Sequence, residues 1–171
     1  VNVNVVSQAD ETTARSVGFV TTWDTTKNGA DNTLTLALQG ITGNYIVYWG
    51  DGTSTVGNST APSKTYSGAG TYTVTIVGPM GGLGFNGSAA ISELMSVERW
   101  GNVAFTTMNG AFYNATNLSI NASDAPDLKN VTEMHGVFRG NVALTKGLSN
   151  WDTSNVTNMS SAFLDNTNFN A

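Results

Sequence analysis

The first half of the chain alternates apolar and polar residues in short runs, which is the period of a β-strand. Such runs include Phe19–Trp23, Leu34–Leu38 and Thr71–Val77. Turn-forming clusters separate them, as at residues 50–53, where glycine tolerates a positive φ. Short strands at this spacing, with no helical stretch between them, predict an antiparallel β-sandwich over residues 17–80.

Residues 1–16 read as a separate N-terminal strand and linker. Val1–Val6 alternates in the strand period, and the polar residues that follow predict a linker or an exposed turn. Three alternatives stay open for the strand: the edge of the following domain, a tail from a preceding domain, or a strand that pairs with another subunit. The chain shows neither an initiator Met nor a signal peptide, so we expect Val1 to begin a mature or excised fragment.

The second half changes to a much longer period. Met108, Met134 and Met159 are 26 and then 25 residues apart. Three phenylalanines keep the same register: Phe112, Phe138 and Phe163. This period predicts a leucine-rich-repeat-like solenoid over residues 81–171, with about three repeats and an incomplete C-terminal end. One repeat is too small to bury its own apolar face, so we expect the Met and Phe of the last two repeats to be buried in stacked columns.

Motifs in the first half resemble a known module. The run Tyr48–Thr53 reads Tyr-Trp-Gly-Asp-Gly-Thr, and Lys64–Tyr66 and Gly70–Val74 follow it. This pattern resembles the PKD-type immunoglobulin-like fold, a spacer and interaction module of cell-surface proteins. The resemblance implies structural roles for five residues: a core position for Trp49, turn positions for Asp51 and Gly52, and places beside the adjoining strand for Tyr66 and Tyr72.

The repeats carry a second resemblance. Ala125–Met134 and Asn150–Met159, with the phenylalanines that follow, resemble the BspA-type leucine-rich-repeat surface proteins of bacteria. In that family the pattern Trp-Asp-x-Ser-x-Val-Thr-x-Met-x-x-x-Phe recurs, and a PKD-like module before the repeats is typical. The resemblance covers nearly all of the chain after residue 16. It implies a secreted, non-catalytic surface module for adhesion to a protein or glycan on a host or neighbouring cell.

Composition and charge narrow the choice of partners. Only 11% of the residues are charged, and the net charge is −5. Seven scattered basic residues cannot form a phosphate-binding stripe, which argues against nucleic acid as a partner. The chain has no cysteine, which excludes disulfides and thiol chemistry, and no apolar run is long enough to span a membrane.

The few candidates for chemistry do not form a catalytic or metal-binding pattern. His135 is the only histidine, and no nucleophile–base ordering accompanies it. Asp124, Asp127 and Asp152 fall at repeat turns, where we expect capping, with weak calcium binding as the alternative. We therefore expect a protein that is not an enzyme and needs no cofactor or metal.

The best candidate for a binding surface lies on the repeats. Residues that alternate with the inward-facing ones should form a polar ladder on one face: Thr106, Thr107, Thr132, Glu133, Thr157 and Asn158. Such a face suits a protein or glycan better than a small metabolite; the alternative is an inert solvated face. A second hypothesis is a structural subunit or decoration protein of an extracellular filament or virus-like particle. It would self-assemble through Val1–Val6 or through the open C-terminal repeat that ends at Ala171.

Overall fold

The computed structural model describes residues 2–5, 8–29 and 32–170. Val1 and Val6 of the predicted N-terminal strand, and Ala171 of the last repeat, lie outside the described residues. The fold is mainly β. Eleven strands are described in this part of the chain: β1 (Asn2–Val5), β2 (Phe19–Asp24), β3 (Thr33–Thr35), β4 (Leu38–Gln39), β5 (Tyr45–Tyr48), β6 (Thr53–Gly57), β7 (Ser63–Thr65), β8 (Thr71–Val77), β9 (Gly82–Leu83), β10 (Leu94–Arg99) and β11 (Ser119–Ile120).

Seven of these strands form one mixed sheet. Its order is β1-β6-β5-β8-β2-β10-β11, and only the β10–β11 pair is parallel. Two small antiparallel sheets, β3–β7 and β4–β9, contribute buried leucines to the same core. The N-terminal strand β1 is an edge of the large sheet, where it pairs with β6 of the same chain.

Residues Gln8–Val17 form a helix, α1, where the sequence predicted a linker or an exposed turn. Only three residues of the segment are apolar, so its pattern did not indicate a helix. Local electrostatics favour it instead: Arg15 pairs with Glu11 one turn earlier at 2.8 Å. The acidic residues lie in the first turn and Arg15 in the last, which suits the helix dipole.

The large sheet joins the two predicted domains. Strand β10 lies after the predicted boundary at residue 80, and it pairs with β2 from the first half. Phe19 of β2 stacks on Trp100, just after β10, with ring centroids 5.6 Å apart. One continuous core includes residues from both halves. Residues before and after residue 80 therefore share one sheet and one core.

The second half consists of three turns of chain joined by backbone hydrogen bonds. In the first turn the amides of Met108 and Phe112 donate to carbonyls 25 residues later, at Glu133 and Val137. The second turn repeats the arrangement with the third. Among described residues 100–170, β11 is the one strand, and it is two residues long. Two isolated parallel bridges provide the remaining β-type pairing there. Positive φ values, as at Gly136 (59°), interrupt each extended run.

The predicted Met and Phe columns are buried in the first two turns but exposed in the third. Met134 and Phe138 are 2% and 1% exposed, and the corresponding Met108 and Phe112 of the first turn are each 1% exposed. Met159 and Phe163 are 43% and 40% exposed, so the expectation of burial is wrong for these two. The reason is the stacking geometry: each turn is covered by the next, and no described turn covers the third.

We expect Phe138→Ala to lower the free energy of unfolding by about 3–5 kcal/mol, because it opens a cavity in the column. Phe163→Ala is the matched control, since it removes the same side chain from the same register where the ring is 40% exposed. It should cost about 1–2 kcal/mol. Denaturant unfolding of both variants measures the difference, and equal losses would contradict the stacked arrangement.

Candidate functional site

The predicted ladder residues line up on consecutive turns of the repeat half. Thr132 and Thr157 are neighbours, because the amide and the hydroxyl of Thr157 both donate to the Thr132 carbonyl, at 2.9 and 3.1 Å. Glu133 and Asn158 form a parallel bridge. Thr132, Glu133 and Thr157 are exposed, and Asn158 is half-buried. Backbone pairing therefore sets the spacing of this surface.

A side-chain hydrogen bond reinforces the Glu133–Asn158 pair. The Asn158 amide nitrogen donates to the Glu133 carboxylate at 2.7 Å. The other atom of the same amide, Asn158 Oδ1, accepts from the backbone amide of Ser160 at 2.9 Å and from its hydroxyl at 2.7 Å. Asn158 is thus fixed on both sides, which lowers the conformational entropy that a ligand would have to remove.

The structure adds two residues to this surface that sequence reasoning did not assign to it. His135 Nδ1 lies 2.8 Å from the Ser160 hydroxyl. Because that hydroxyl donates to Asn158, it must accept from His135, and a directed chain of hydrogen bonds runs from His135 to Glu133. The signal in the sequence is positional: His135 and Ser160 lie two residues after Glu133 and Asn158. We name the surface formed by Thr132, Glu133, His135, Thr157, Asn158 and Ser160 the polar ladder.

Thr106 and Thr107 of the first repeat have the backbone pairing of the polar ladder but not its side-chain hydrogen bonds. The amides of Thr106 and Thr107 both donate to the Gly81 carbonyl, at 2.9 and 3.2 Å, as those of Thr157 and Asn158 do to Thr132. Glu133 is tied to this turn through the Met108 amide, which donates to its carbonyl. No side-chain bond is found between the threonines and the polar ladder within the described residues. The structure therefore joins four of the six predicted binding residues directly and leaves Thr106 and Thr107 beside them.

The aspartates at repeat turns accept hydrogen bonds from nearby backbone amides. Asp124 accepts from Trp100 and Gly101, at 3.1 and 2.8 Å. Asp127 and Asp152 each bond the amide two residues later, and the hydrogen bonds from the Lys129 and Ser154 side chains are the main cause that lowers their respective pKa values. This is the turn role that the sequence predicted. In the part of the chain that is described, no group of three or more acidic or histidine side chains is placed to hold a metal ion.

The five residues to which the PKD resemblance assigned structural roles lie around one turn in the first half of the chain. Trp49 is fully buried, and its indole N–H donates to Thr55 at 2.9 Å. The Tyr66 hydroxyl donates to the Trp49 carbonyl at 2.9 Å, and its ring stacks on Tyr72 at 3.5 Å between centroids. Gly52 has a φ of 79°, which explains a glycine at that position. These contacts give the motif a structural use, and none of them is a catalytic arrangement.

Asp51 forms an ion pair with Lys64 at 2.8 Å between nitrogen and oxygen. Partial burial raises the pKa of Asp51, but the hydrogen bonds from Lys64 and Thr53 outweigh it, and the net pKa is lowered. The pair ties the Gly-Asp-Gly turn to strand β7, since Lys64 lies in that strand.

An apolar hollow with a volume of approximately 260 Å³ lies in the last two repeats, and its lining includes Phe138, Trp151, Met159 and Phe163. No helix in the described part of the chain is long and apolar enough to cross a bilayer. None of the polar-ladder residues lines the hollow.

Residues 85–171 match a protein family described as "Mycoplasma protein of unknown function, DUF285". The match includes all three turns and the polar ladder, and it covers half of the chain. The chain therefore belongs to this family. No curated protein and no solved structure shows significant similarity to it.

The Asp51–Lys64 pair makes stability depend on pH. A carboxyl group whose pKa is lowered on folding stabilises the fold above its unfolded pKa of about 3.9, and this contribution is lost as the pH falls through the folded-state value. We expect the free energy of unfolding to fall below about pH 4, and less steeply in Asp51→Asn. Lys64→Met should flatten the curve in the same way, because it removes the charge that lowers the pKa. Unaltered slopes in both variants would contradict the assignment.

Proposed function

We propose that this chain is a non-catalytic, extracellular surface module that mediates adhesion by binding a protein or a glycan through the polar ladder. The proposal includes the finer fold classes that the sequence suggests: a PKD-like immunoglobulin-type sandwich in the first half and a BspA-like leucine-rich-repeat solenoid in the second. The single observation that carries it is the directed hydrogen-bond chain from His135 to Glu133, which holds exposed polar groups in place on adjacent turns.

The chemistry of the polar ladder favours a ligand with many hydroxyl or amide groups. It presents two threonine hydroxyls, one amide, one imidazole and one carboxylate within two turns. A glycan or a peptide surface can match several donors and acceptors at once, and each hydrogen bond contributes about 0.5–1.5 kcal/mol. A small metabolite would need an enclosing pocket to bury most of its surface. We therefore favour an extended partner over a small one.

Catalysis is not part of the proposal. His135 and Ser160 are adjacent, but the serine hydroxyl donates to Asn158 rather than to the imidazole. A nucleophilic serine would instead give its proton to the histidine. The polar ladder is therefore organised to present groups to a partner, and its histidine acts as a donor.

A second candidate function has one observation in its favour. The third turn has exposed apolar side chains, including Met159 and Phe163, and a structural subunit of a filament would need such a surface for self-association. Molecular mass in solution separates the two candidates, because a monomer favours the adhesion module and a polymer favours the subunit.

The test of the adhesion proposal is a triple variant, Thr132→Arg, Glu133→Arg and Thr157→Arg, in which Asn158 is kept because it fixes the Ser160 turn. The wild-type chain is first screened against arrays of surface glycans and extracellular proteins. We expect the variant to lose at least about tenfold in affinity for any ligand found, which corresponds to about 1.4 kcal/mol.

The matched control is Thr35→Arg with Ser63→Arg. These exposed residues also share a hydroxyl–hydroxyl bond, at 2.9 Å, but lie on the β3–β7 sheet. The control should bind as the wild type does. Undiminished binding by a folded triple variant would exclude the polar ladder and direct attention to the loops of the first half.

A further inference from the structure

A second hollow lies where the first repeat turn meets the β4–β9 sheet. Its volume is approximately 400 Å³, which is within the range of about 300–1,000 Å³ that small-molecule sites occupy. Part of its lining comes from Gly40, which follows β4, and from Gly81, which precedes β9. Another part comes from the first turn and includes Asn102 and Thr106. We name this space the junction hollow, and no polar-ladder residue lines it.

Two glycines keep the junction hollow open. The Gly81 carbonyl accepts from two amides of the first turn, as the Thr132 carbonyl does from the third, so Gly81 occupies a position at which later turns carry threonine. A Cβ on Gly81 would collide with the Thr106 hydroxyl. A Cβ on Gly40, whose φ is 61°, would lie 2.8 Å from the Gly81 Cα and 3.1 Å from the same hydroxyl. A side chain at either position would therefore occupy the space beside Thr106.

Backbone hydrogen bonds hold the lining of the junction hollow in place. The Gly81 amide donates to the Gln39 carbonyl at 2.7 Å, and the Gly81 carbonyl accepts from the Thr106 amide at 2.9 Å. Asn102 is held in the same way, because its backbone amide donates to the Val17 carbonyl at 2.8 Å. The hollow is therefore preformed, and a ligand would not have to order the chain in order to bind.

The lining of the junction hollow is polar but uncharged. Its three polar side chains are exposed and form no hydrogen bond within the described part of the chain: Thr42, Asn102 and Thr106. Exposed Pro79 and buried Met80 add apolar surface. None of the described residues that line the hollow carries a charge. The lining can thus pair with hydroxyl groups and pack against C–H groups, but it offers nothing to neutralise a charged ligand.

We propose that the junction hollow binds one neutral sugar ring, such as the terminal hexose of a glycan. The hydroxyl groups of a pyranose both donate and accept, which matches two threonine hydroxyls and one amide side chain. The C–H groups of its ring suit the proline and methionine side chains. A phosphate or carboxylate would lack a counter-charge, and a purely apolar ring would cover polar side chains without pairing them. The polar ladder takes no part in this site, so the proposal does not rest on that surface.

The experiment is a titration of the isotope-labelled full chain with the methyl glycosides of glucose, galactose, mannose and N-acetylglucosamine. Amide NMR shifts report on each backbone position. A half-open site for one ring should have a Kd of about 1–10 mM, so each titration runs to about 100 mM. With at least one glycoside we expect saturable shift changes at Gly40, Gly81 and Thr106. The absence of saturable changes with all four, or changes only outside the junction hollow, would overturn the proposal.

Two further ligands test the chemistry. The best-binding glycoside is compared with its counterpart oxidised at C6 to a carboxylate, which should bind at least about threefold more weakly because the lining has no cation. Cyclohexanol has a ring of the same size with a single hydroxyl, and it should bind at least about fivefold more weakly because most of the hydrogen bonds are lost. Binding of either compound as tight as that of the neutral glycoside would overturn the proposal.

Two variants of the chain locate the site. Thr106→Val removes a hydroxyl and keeps the side-chain shape, so we expect binding to weaken at least about threefold. Ala104→Phe fills the hollow from an exposed position of its lining and should abolish binding. Thr132→Val is the matched control, because it removes the equivalent exposed hydroxyl of the next turn, outside the hollow. Binding retained by folded Ala104→Phe, or lost in Thr132→Val, would overturn the proposal. If a variant fails to fold, the shift map of the wild-type chain decides.

Discussion

The structure depends on the packing around Trp100, where the sheet meets the repeats. Its fully buried indole contacts Phe19 of the sheet, Phe112 of the first turn and Trp151 ahead of the third, with centroids 5.6, 6.0 and 5.1 Å apart. The Asp124 carboxylate fixes the backbone at the same point through two amides. A small stack of three turns has little core of its own, and this junction lets it share the core of the sheet.

Beyond this junction, the backbone of each inner repeat turn forms hydrogen bonds with both the preceding and the following turn. Residues at alternate positions donate amides to the next turn, and the residues between them accept from the previous turn. The left-handed residues that produce this alternation are mostly glycine and asparagine, which adopt it at low cost. In the third turn Ser161 and Asp165 occupy these positions; aspartate resembles asparagine in this respect, whereas serine pays about 1–2 kcal/mol for the same conformation.

Much of the repeat half was predictable from sequence, because Met and Phe at fixed offsets specify which side chains must stack. Burial of Met134 and Phe138 follows from that register alone. The exposure of Met159 and Phe163 does not, because it depends on what covers the turn rather than on its sequence. The pairing of β2 with β10 could not be predicted in the same way, because Leu94–Arg99 lacks strict alternation and its partner strand lies 70 residues or more away in the sequence. Helix α1 was not predicted because only three of its ten residues are apolar.

Several of the few acidic side chains in this chain stabilise turns by accepting hydrogen bonds from the backbone. Five short side chains each accept a hydrogen bond from the backbone amide two residues later: Asp24, Asp51, Asp127, Asp152 and Asn158. These acidic and amide side chains therefore stabilise the turns. Four of these five residues are aspartates, and the negative charge is therefore used locally along the backbone. The polar ladder contributes only the Glu133 carboxylate to that total. Its recognition chemistry consequently rests on directed hydrogen bonds, which are short-ranged, rather than on long-range attraction of charged partners.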